Sequence, residues 1–299
     1  MRLSGFADEA GGADLALQIK AVKSLGWNCI ETRRLNAGSL ASISDAEFEQ
    51  VKALLAESGV AFNCFGSGVG NWAKPICEPP DSSYDELRKA IPRMKELGIP
   101  MIRIMSFAVP DAMKGRSWDF EDEVVKRVKR IVEIAEEAGI LCLHENCMNW
   151  GGLSYEHTLK LLERVDSPQL KLVFDTGNPV VNDDVRGPGP HGKQSAWDFY
   201  RNVREHIAHV HVKDARMDGS KAVFTFPGEG DASLRSILDD LLRRGYDGDI
   251  SIEPHMVRVF HDSNEDSKEA AKAAFENFIE YGKRLEAILS SIKSSLPCK

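Results

Sequence analysis

The chain has 299 residues, 42% hydrophobic and 28% charged, which is the composition of a folded protein and excludes fibrous and disordered classes. A formal net charge of -8 opposes broad attraction to nucleic acid or an anionic membrane, since polyanion binders need a basic footprint. The N-terminus carries no apolar targeting segment and no stretch approaches the ~18 apolar residues of a membrane span, so a soluble, cytoplasmic protein is expected.

In chain order, a strand at Arg2 to Phe6 leads into an amphipathic helix, Asp14 to Leu25, in which Leu15, Ile19 and Val22 recur at helical spacing. Cys29 to Glu31 is the second strand. A helix from Ser44 to Ser58 stops at Gly59, and the third strand is Val60 to Phe65. A loop with Gly66, Gly68 and Gly70 precedes the helix Tyr84 to Leu97, and Met101 to Met105 is the fourth strand. The helix Phe120 to Ala138 carries Val124, Val128, Ile131, Val132 and Ala135 on one stripe. Strand five, Ile140 to Glu145, is followed by helix Ser154 to Val165 and strand six, Leu170 to Asp175. A Pro/Gly-rich loop from Pro179 to Gly192 and a helix from Ala196 to Glu205 lead to strand seven, read as Ile207 to Arg216. A loop to Gly230, a helix from Leu234 to Arg244, strand eight at Asp249 to Glu253, and a helix from about Asp266 to Ile292 complete the chain.

Eight strands each followed by a helix give the pattern of a (β/α)₈ TIM barrel, with residues 1–299 as a single domain. The competing doubly wound sheet places a Gly-rich phosphate fingerprint after its first strand, where this chain has the acidic Ala-Asp-Glu-Ala-Gly-Gly. Six cysteines, at positions 29, 64, 77, 142, 147 and 298, form no Cys-x-x-Cys pair, and three fall in predicted strands. They read as buried thiols rather than a disulfide framework.

Four strands end on polar groups: Glu145, Asp175, His211 and Glu253. Period-2 alternation that turns these four inward also turns Leu143, Val173, His209 and Ser251 inward, and leaves Cys142, Leu172, Phe174, Val210, Val212, Ile250 and Ile252 under the helices. Three carboxylates gathered on one buried rim would repel one another, so they need cations or protons to coexist. A divalent ion bound by three carboxylates and an imidazole, with positions open for substrate, meets that need. The plainer alternative is four strand-end groups paired with Lys213 and Arg216.

The segments Leu-His-Glu-Asn, Phe-Asp-Thr-Gly-Asn, His-Val-His-Val-Lys-Asp-Ala-Arg and Ile-Ser-Ile-Glu-Pro-His resemble the metal-site segments of the xylose isomerase-like barrel superfamily, which includes D-tagatose 3-epimerase and inosose dehydratase. The resemblance implies that Glu145, Asp175, His211 and Glu253 hold one divalent metal ion, such as manganese, cobalt or magnesium, with zinc not distinguished by sequence. It also implies that Glu145 and Glu253 are catalytic, moving protons through a metal-stabilised enediolate of a sugar or sugar-like ketone. Isomerisation or epimerisation is the leading expectation. A dehydratase acting on a keto-inositol or keto-sugar is the alternative, and a sugar-binding barrel without turnover is the third.

One departure is Asn178, where many relatives have a histidine; asparagine can bond a hydroxyl but cannot exchange a proton near neutral pH. The Lys213-Asp214-Ala215-Arg216 continuation is closer to inosose dehydratase. The endonuclease IV type, also part of the superfamily this chain resembles, is disfavoured because its site needs further histidines at the ends of strands three and four, whereas no histidine occurs here before His144, and because the chain is acidic. Substrate contacts are expected at Arg216, Asn178, Lys213, His255, Glu31 and Trp150, with surface ion pairs or loop packing as the ordinary alternative for each. Arg33, Trp72, Phe107 and Glu229 are lesser candidates, and His209 is expected to be a hydrogen-bonded core residue. The expected partner is a small carbohydrate. The exposed face of the last helix and the long loops could also pair two copies in a homo-oligomer.

Overall fold

The computed structural model describes residues 1–186, 192–256 and 268–296. Its strands are β1 (Leu3–Gly5), β2 (Cys29–Thr32), β3 (Ala61–Gly66), β4 (Met101–Ile104), β5 (Leu141–Glu145), β6 (Leu170–Asp175), β7 (Ile207–Val212), β8 (Asp214–Asp218), β9 (Lys221–Thr225) and β10 (Asp249–Ile252). All but β8 and β9 form one 8-stranded parallel sheet in the order β1-β10-β7-β6-β5-β4-β3-β2. β1 and β2 meet across the seam without a ladder, so the barrel is nearly closed.

The helices are α1 (Asp8–Gly11), α2 (Leu15–Ser24), α3 (Asp45–Ser58), α4 (Asp81–Leu97), α5 (Glu121–Glu136), α6 (Tyr155–Val165), α7 (Asn178–Val181), α8 (Ala196–Val203), α9 (Leu234–Arg243) and α10 (Lys268–Ser295). Local chemistry sets their limits. Ser44 and Glu47 form a reciprocal capping box at the start of α3, and Gly59 ends it in the left-handed region at φ 67°, which costs glycine nothing. Acidic Glu121, Asp122 and Glu123 sit in the first turn of α5, where they complement the helix dipole.

Most hydrophobic burial lies between the sheet and the helices. Ile102, Ile104, Cys142, Leu172, Phe174, Val210, Val212, Ile250 and Ile252 pack outward against apolar helix faces such as Val124, Val128 and Ile131 of α5. Each fully buried side chain of this size contributes roughly 1.5–3 kcal/mol, so this shell carries the fold's stability. The interior cluster is small: Cys64, Leu143 and Val173, with Met101, Leu141 and Ala208 against them. Apart from Phe6, whose ring packs on His211, Arg33 and Arg103, the groups placed around the upper axis are polar, which leaves the interior free to build a site.

The structure differs from the sequence reading at strand seven. β7 stops at Val212, and the chain continues as the antiparallel hairpin β8–β9. The cause is Asp214, whose carboxylate accepts backbone N–H groups from Ala215, Gly228, Gly230 and Ala232 at 3.0, 2.8, 3.2 and 3.2 Å, folding the returning loop onto the strand end. Residues 187–191 of the Pro/Gly-rich loop, the expected helix start at Asp266 and Cys298 lie outside the described residues. Cys29, Cys64 and Cys142 are buried thiols, Cys77 is exposed, and no disulfide occurs among the described residues. None of the described helices is long and apolar enough to cross a membrane.

Candidate metal centre and its cleft

Parallel register brings the four strand-end groups to one level. Asp175 lies opposite His211, and His211 opposite Ser251, two residues before Glu253, while Glu145 pairs with Val173. One ligand atom from each of Glu145, Asp175, His211 and Glu253 falls within 4.8 Å of the others, and all four residues are buried. His211 Nδ1 faces Glu145 Oε1 at 3.4 Å and Glu253 Oε2 at 4.0 Å. Asp175 Oδ1 accepts the backbone N–H of Gly177 and Asn178 at 2.8 and 2.7 Å, which fixes the carboxylate and leaves Oδ2 facing the centre, 2.9 Å from Lys213 Nζ.

One layer deeper, Glu31 holds the imidazoles. Its Oε2 is 2.7 Å from His209 Nε2, and both its oxygens are 3.1 Å from His211 Nε2. A proton on Nε2 directed at Glu31 leaves Nδ1 as the atom offered to the centre, the arrangement that orients a metal-binding histidine. Glu31 was expected at the mouth as a substrate contact. It lies instead in the barrel interior with no exposure, because β2 runs on to Thr32 and its ladder slips between Ile30 and Glu31. Below it the polar axis continues: His209 Nε2 is 3.1 Å from Ser251 Oγ, which is 2.6 Å from Ser4 Oγ, and Asn63 links Ser4 to Asp249. His209 is the hydrogen-bonded core residue that parity indicated.

Two arginines pin the glutamates from outside the centre. Arg103 Nη1 donates to Glu145 Oε2 at 2.9 Å, and Arg33 Nη1 donates to Glu253 Oε1 at 3.0 Å while also pairing with Asp8 and Glu9. Each glutamate therefore presents one oxygen inward. Burial works against charge on Glu145, but Arg103 and His211 outweigh it and hold the carboxyl at about 2. At Asp175 burial, reinforced by Glu253 and Glu145, wins over Lys213 and raises the group to about 6. Burial disfavours protonated His211, yet Glu31 and Glu145 raise it to about 10. Lys213 Nζ, 2.9 Å from Asp175 and 3.1 Å from Glu253, is likewise held charged against burial, well above its ordinary value.

The buried acids Asp8, Glu9, Glu31, Glu145, Asp175 and Glu253 thus outnumber the buried cations Arg33, Arg103 and Lys213 around the centre. Such an excess needs protons on imidazoles or an added cation. Three inward carboxylate oxygens and one neutral-capable imidazole nitrogen suit a divalent ion, so the residues present fit a metal. A second group, Glu9, Glu253 and His255, is also close-packed: His255 Nδ1 lies 2.9 Å from Glu9 Oε1.

The centre opens into a cleft of ≈490 Å³ lined by Lys213, Asn178 and His255, with Trp72 on its wall. Asn178 Nδ2 reaches Glu145 Oε1 at 3.4 Å. Besides Glu31, two expected contacts are placed elsewhere. Arg216 is exposed on β8, opposite Val223, and does not line the cleft, because the chain turns off the barrel at Asp214. Trp150 is completely buried behind the rim: its backbone N–H bonds Phe107 O at 2.8 Å and its Nε1 bonds Ser117 O at 2.7 Å. Phe107 is buried rather than presented to the cleft, and Glu229 pairs with Arg284. Arg103, Asp8 and Glu9 were missed. Inward parity from Met101 could have found Arg103, whereas Asp8 and Glu9 lie on the short helix α1, which has no periodic signal.

A family model, the xylose isomerase-like TIM barrel, matches residues 19–281. An inosose dehydratase of Lactiplantibacillus plantarum is 29% identical over 150 residues, covering 44% of this chain and 46% of that protein, so the chain spans about half the length of this curated relative. A D-tagatose 3-epimerase-like protein superimposes with a TM-score of 0.72 at 18% identity, covering 99% of this chain and 100% of the other. A xylose isomerase-like barrel of Mycobacterium smegmatis, solved in complex with magnesium, superimposes with a TM-score of 0.67 at 18% identity, covering 96% and 97%. With its eight parallel strands and this match over most of its length, the chain belongs to the xylose isomerase-like TIM barrel family.

Proposed function

We propose that the protein is a divalent-metal-dependent enzyme that isomerises or epimerises a sugar or sugar-like ketone by moving a proton at the carbon beside the carbonyl. The observation that carries the reading is the convergence of Glu145, Asp175, His211 and Glu253 within 4.8 Å at the floor of a cleft that also contains Lys213, Asn178 and His255. Those four side chains would hold the ion, and manganese, cobalt, magnesium or zinc suits the donor set. The ion would supply Lewis acidity, polarising the substrate carbonyl and making the neighbouring C–H acidic enough for a carboxylate to deprotonate.

The chain's own groups do the rest. Glu145 Oε1 and Glu253 Oε2 are the glutamate oxygens turned toward the centre, and the two residues come from β5 and from just after β10, with β6 and β7 between them in the sheet. One removes the proton and the other returns it, to the same carbon for epimerisation or to the adjacent carbon for isomerisation. Arg103 and Arg33 fix the remaining oxygens, so each base moves little, and Asn178 orients a hydroxyl by hydrogen bonding. Supporting this reading for the substrate class are the epimerase-like fold neighbour and the inosose dehydratase relative.

A dehydratase is the second reading, favoured by one observation: the Lys213 ammonium points into the cleft beside both Asp175 and Glu253, where its fixed charge would stabilise a departing hydroxyl. Deuterium wash-in with a panel of ketoses and inosose, together with metal analysis of the purified protein, separates the readings. Exchange with retention of the carbon skeleton and oxygen count supports the first; loss of water from inosose supports the second. A protein that binds sugar without exchanging any C–H would be a binding module. Glu145→Gln and Glu253→Gln should each lower bound metal and abolish exchange.

A further inference from the structure

A second cavity of ≈470 Å³ adjoins the cleft above the metal centre and shares Trp72, Cys147, Met148, Val181 and Asn182 with it. Each volume alone lies within the usual range for a small ligand, about 300–1,000 Å³, so a monosaccharide held over the metal centre leaves the second open. The loops after β4, β5 and β6 frame this second cavity, contributing Val109, Leu153 and Val185, and none of the four proposed metal ligands lines it.

Its polar groups decide what it can take. Asp111, Lys114, Asp183 and Gln194 line it beside the valines. The charges are already matched: Lys114 Nζ lies 2.7 Å from Asp111 Oδ1, and Lys193 Nζ lies 2.7 Å from Asp183 Oδ1. A phosphate or carboxylate would therefore meet two carboxylates and no surplus cation, and an apolar group would strip water from the paired ions without replacing its hydrogen bonds. A neutral ligand rich in hydroxyls suits these walls, because each hydroxyl both donates and accepts.

The passage between the cavities has the same character. Asn182 lines both and is half-buried. Its backbone N–H bonds Asn178 O at 3.0 Å and its carbonyl accepts from Gln194 N at 3.0 Å, whereas its carboxamide makes no hydrogen bond among the described residues. A donor and an acceptor thus stand open at the junction. Trp72 also lines both cavities, and its indole joins an apolar face to a polar edge, as a sugar ring joins C–H faces to a rim of hydroxyls.

We infer that the substrate is a keto-disaccharide: a ketose unit over the metal centre, linked past Trp72 and Asn182 to a second sugar ring in the adjoining cavity. This rests on the proposed function for the ketose unit only. The second ring is a separate claim.

The test uses the full chain loaded with manganese and ketones that differ only in the second ring: D-fructose against isomaltulose, maltulose and lactulose, each of which is D-fructose carrying one further hexose. Affinities are measured by calorimetry and C–H exchange by deuterium wash-in. A few added hydrogen bonds should make at least one keto-disaccharide bind on the order of tenfold to a hundredfold tighter than D-fructose. Val185→Trp, which fills the second cavity from a half-buried wall position, should bring that ligand down to the affinity of D-fructose. Asn182→Ala, which removes a carboxamide that the fold does not use, should cut the preference several-fold. Equal affinity for D-fructose and all three keto-disaccharides in the wild type overturns the inference, and so does a preference that survives both substitutions. If a keto-disaccharide is preferred as stated but no ketone exchanges deuterium, the second sugar site stands and the proposed chemistry fails. If D-fructose exchanges and the disaccharides bind no better, the chemistry stands and the inference fails.

Discussion

Glu31 is a position where the site can be perturbed without replacing any of the four proposed metal ligands, because it acts on His211 from behind. Glu31→Gln keeps the volume and removes the charge that faces His209 Nε2 at 2.7 Å and His211 Nε2 at 3.1 Å. An amide offers either its oxygen or its NH₂ to His211. If the NH₂ turns toward Nε2, the ring must carry its proton on Nδ1, the atom that faces Glu145 Oε1 and Glu253 Oε2, and the nitrogen ligand is lost. If the oxygen stays, the tautomer survives but the basicity lent by a carboxylate does not. Removing such an orienting partner typically weakens metal binding 10–100-fold, about 1.4–2.7 kcal/mol. Titration calorimetry with manganese on stripped wild type and Glu31→Gln reads this directly, with circular dichroism showing that the fold is retained. Affinities within twofold of each other in two well-folded proteins would refute the role given to Glu31, and with it the assignment of Nδ1 as the inward ligand.

The remaining predictions follow from the same geometry. Lys213→Met removes the ammonium between Asp175 and Glu253, so the stripped protein should lose about 3–5 kcal/mol, and added manganese should restore more stability than it gives the wild type; equal thermal shifts would contradict this. Because His211 is held protonated up to about 10, a metal arriving at Nδ1 must displace a proton. Affinity should therefore rise with pH between 6 and 9, by up to tenfold per unit, and calorimetry in buffers of different ionisation enthalpy should show about one proton released per ion. Burial holds His144 and His157 at about 4, below the unfolded value near 6.5, so the unfolded chain binds more protons in that window. Stability is complete above pH 6.5 and lost as pH falls toward 4, by roughly 3 kcal/mol per histidine. Denaturant titrations at pH 7 and 4.5 should show the decline, and His144→Gln with His157→Gln should flatten it. Gly152→Ala would set a Cβ 1.8 Å from Cys147 O, so the loop after β5 that carries Cys147 and Met148 on the cleft wall must move and ligand binding in the cleft should weaken, as ligand titration would show.

Hydrophobic alternation in the chain was enough to specify the barrel and the inward face of each strand. Every group from Glu145 to Glu253 that parity turned inward is inside, and Cys142, Phe174, Val210 and Ile252 lie in the outer core as that same parity requires. Period-2 alternation is a local property, and in a parallel barrel with both faces covered a strand cannot slip by one residue without exposing its apolar set. The strand-end acids were legible for the same reason: each closes an apolar run.

Tertiary structure alone decided which charges meet. Arg103 and Glu145 are 42 residues apart and Arg33 and Glu253 are 220 apart, so their pairing depends on strand order and register, to which no local pattern is sensitive. Glu31 moved from the expected mouth to the interior through a slip in one ladder, and Arg216 left the cleft because four backbone N–H groups gather on Asp214. Trp150 turned inward to donate to Ser117. The chain's periodicity could say which face each residue occupies; only the closed sheet, by bringing distant strand ends within a few ångströms, could say which of those residues share a field.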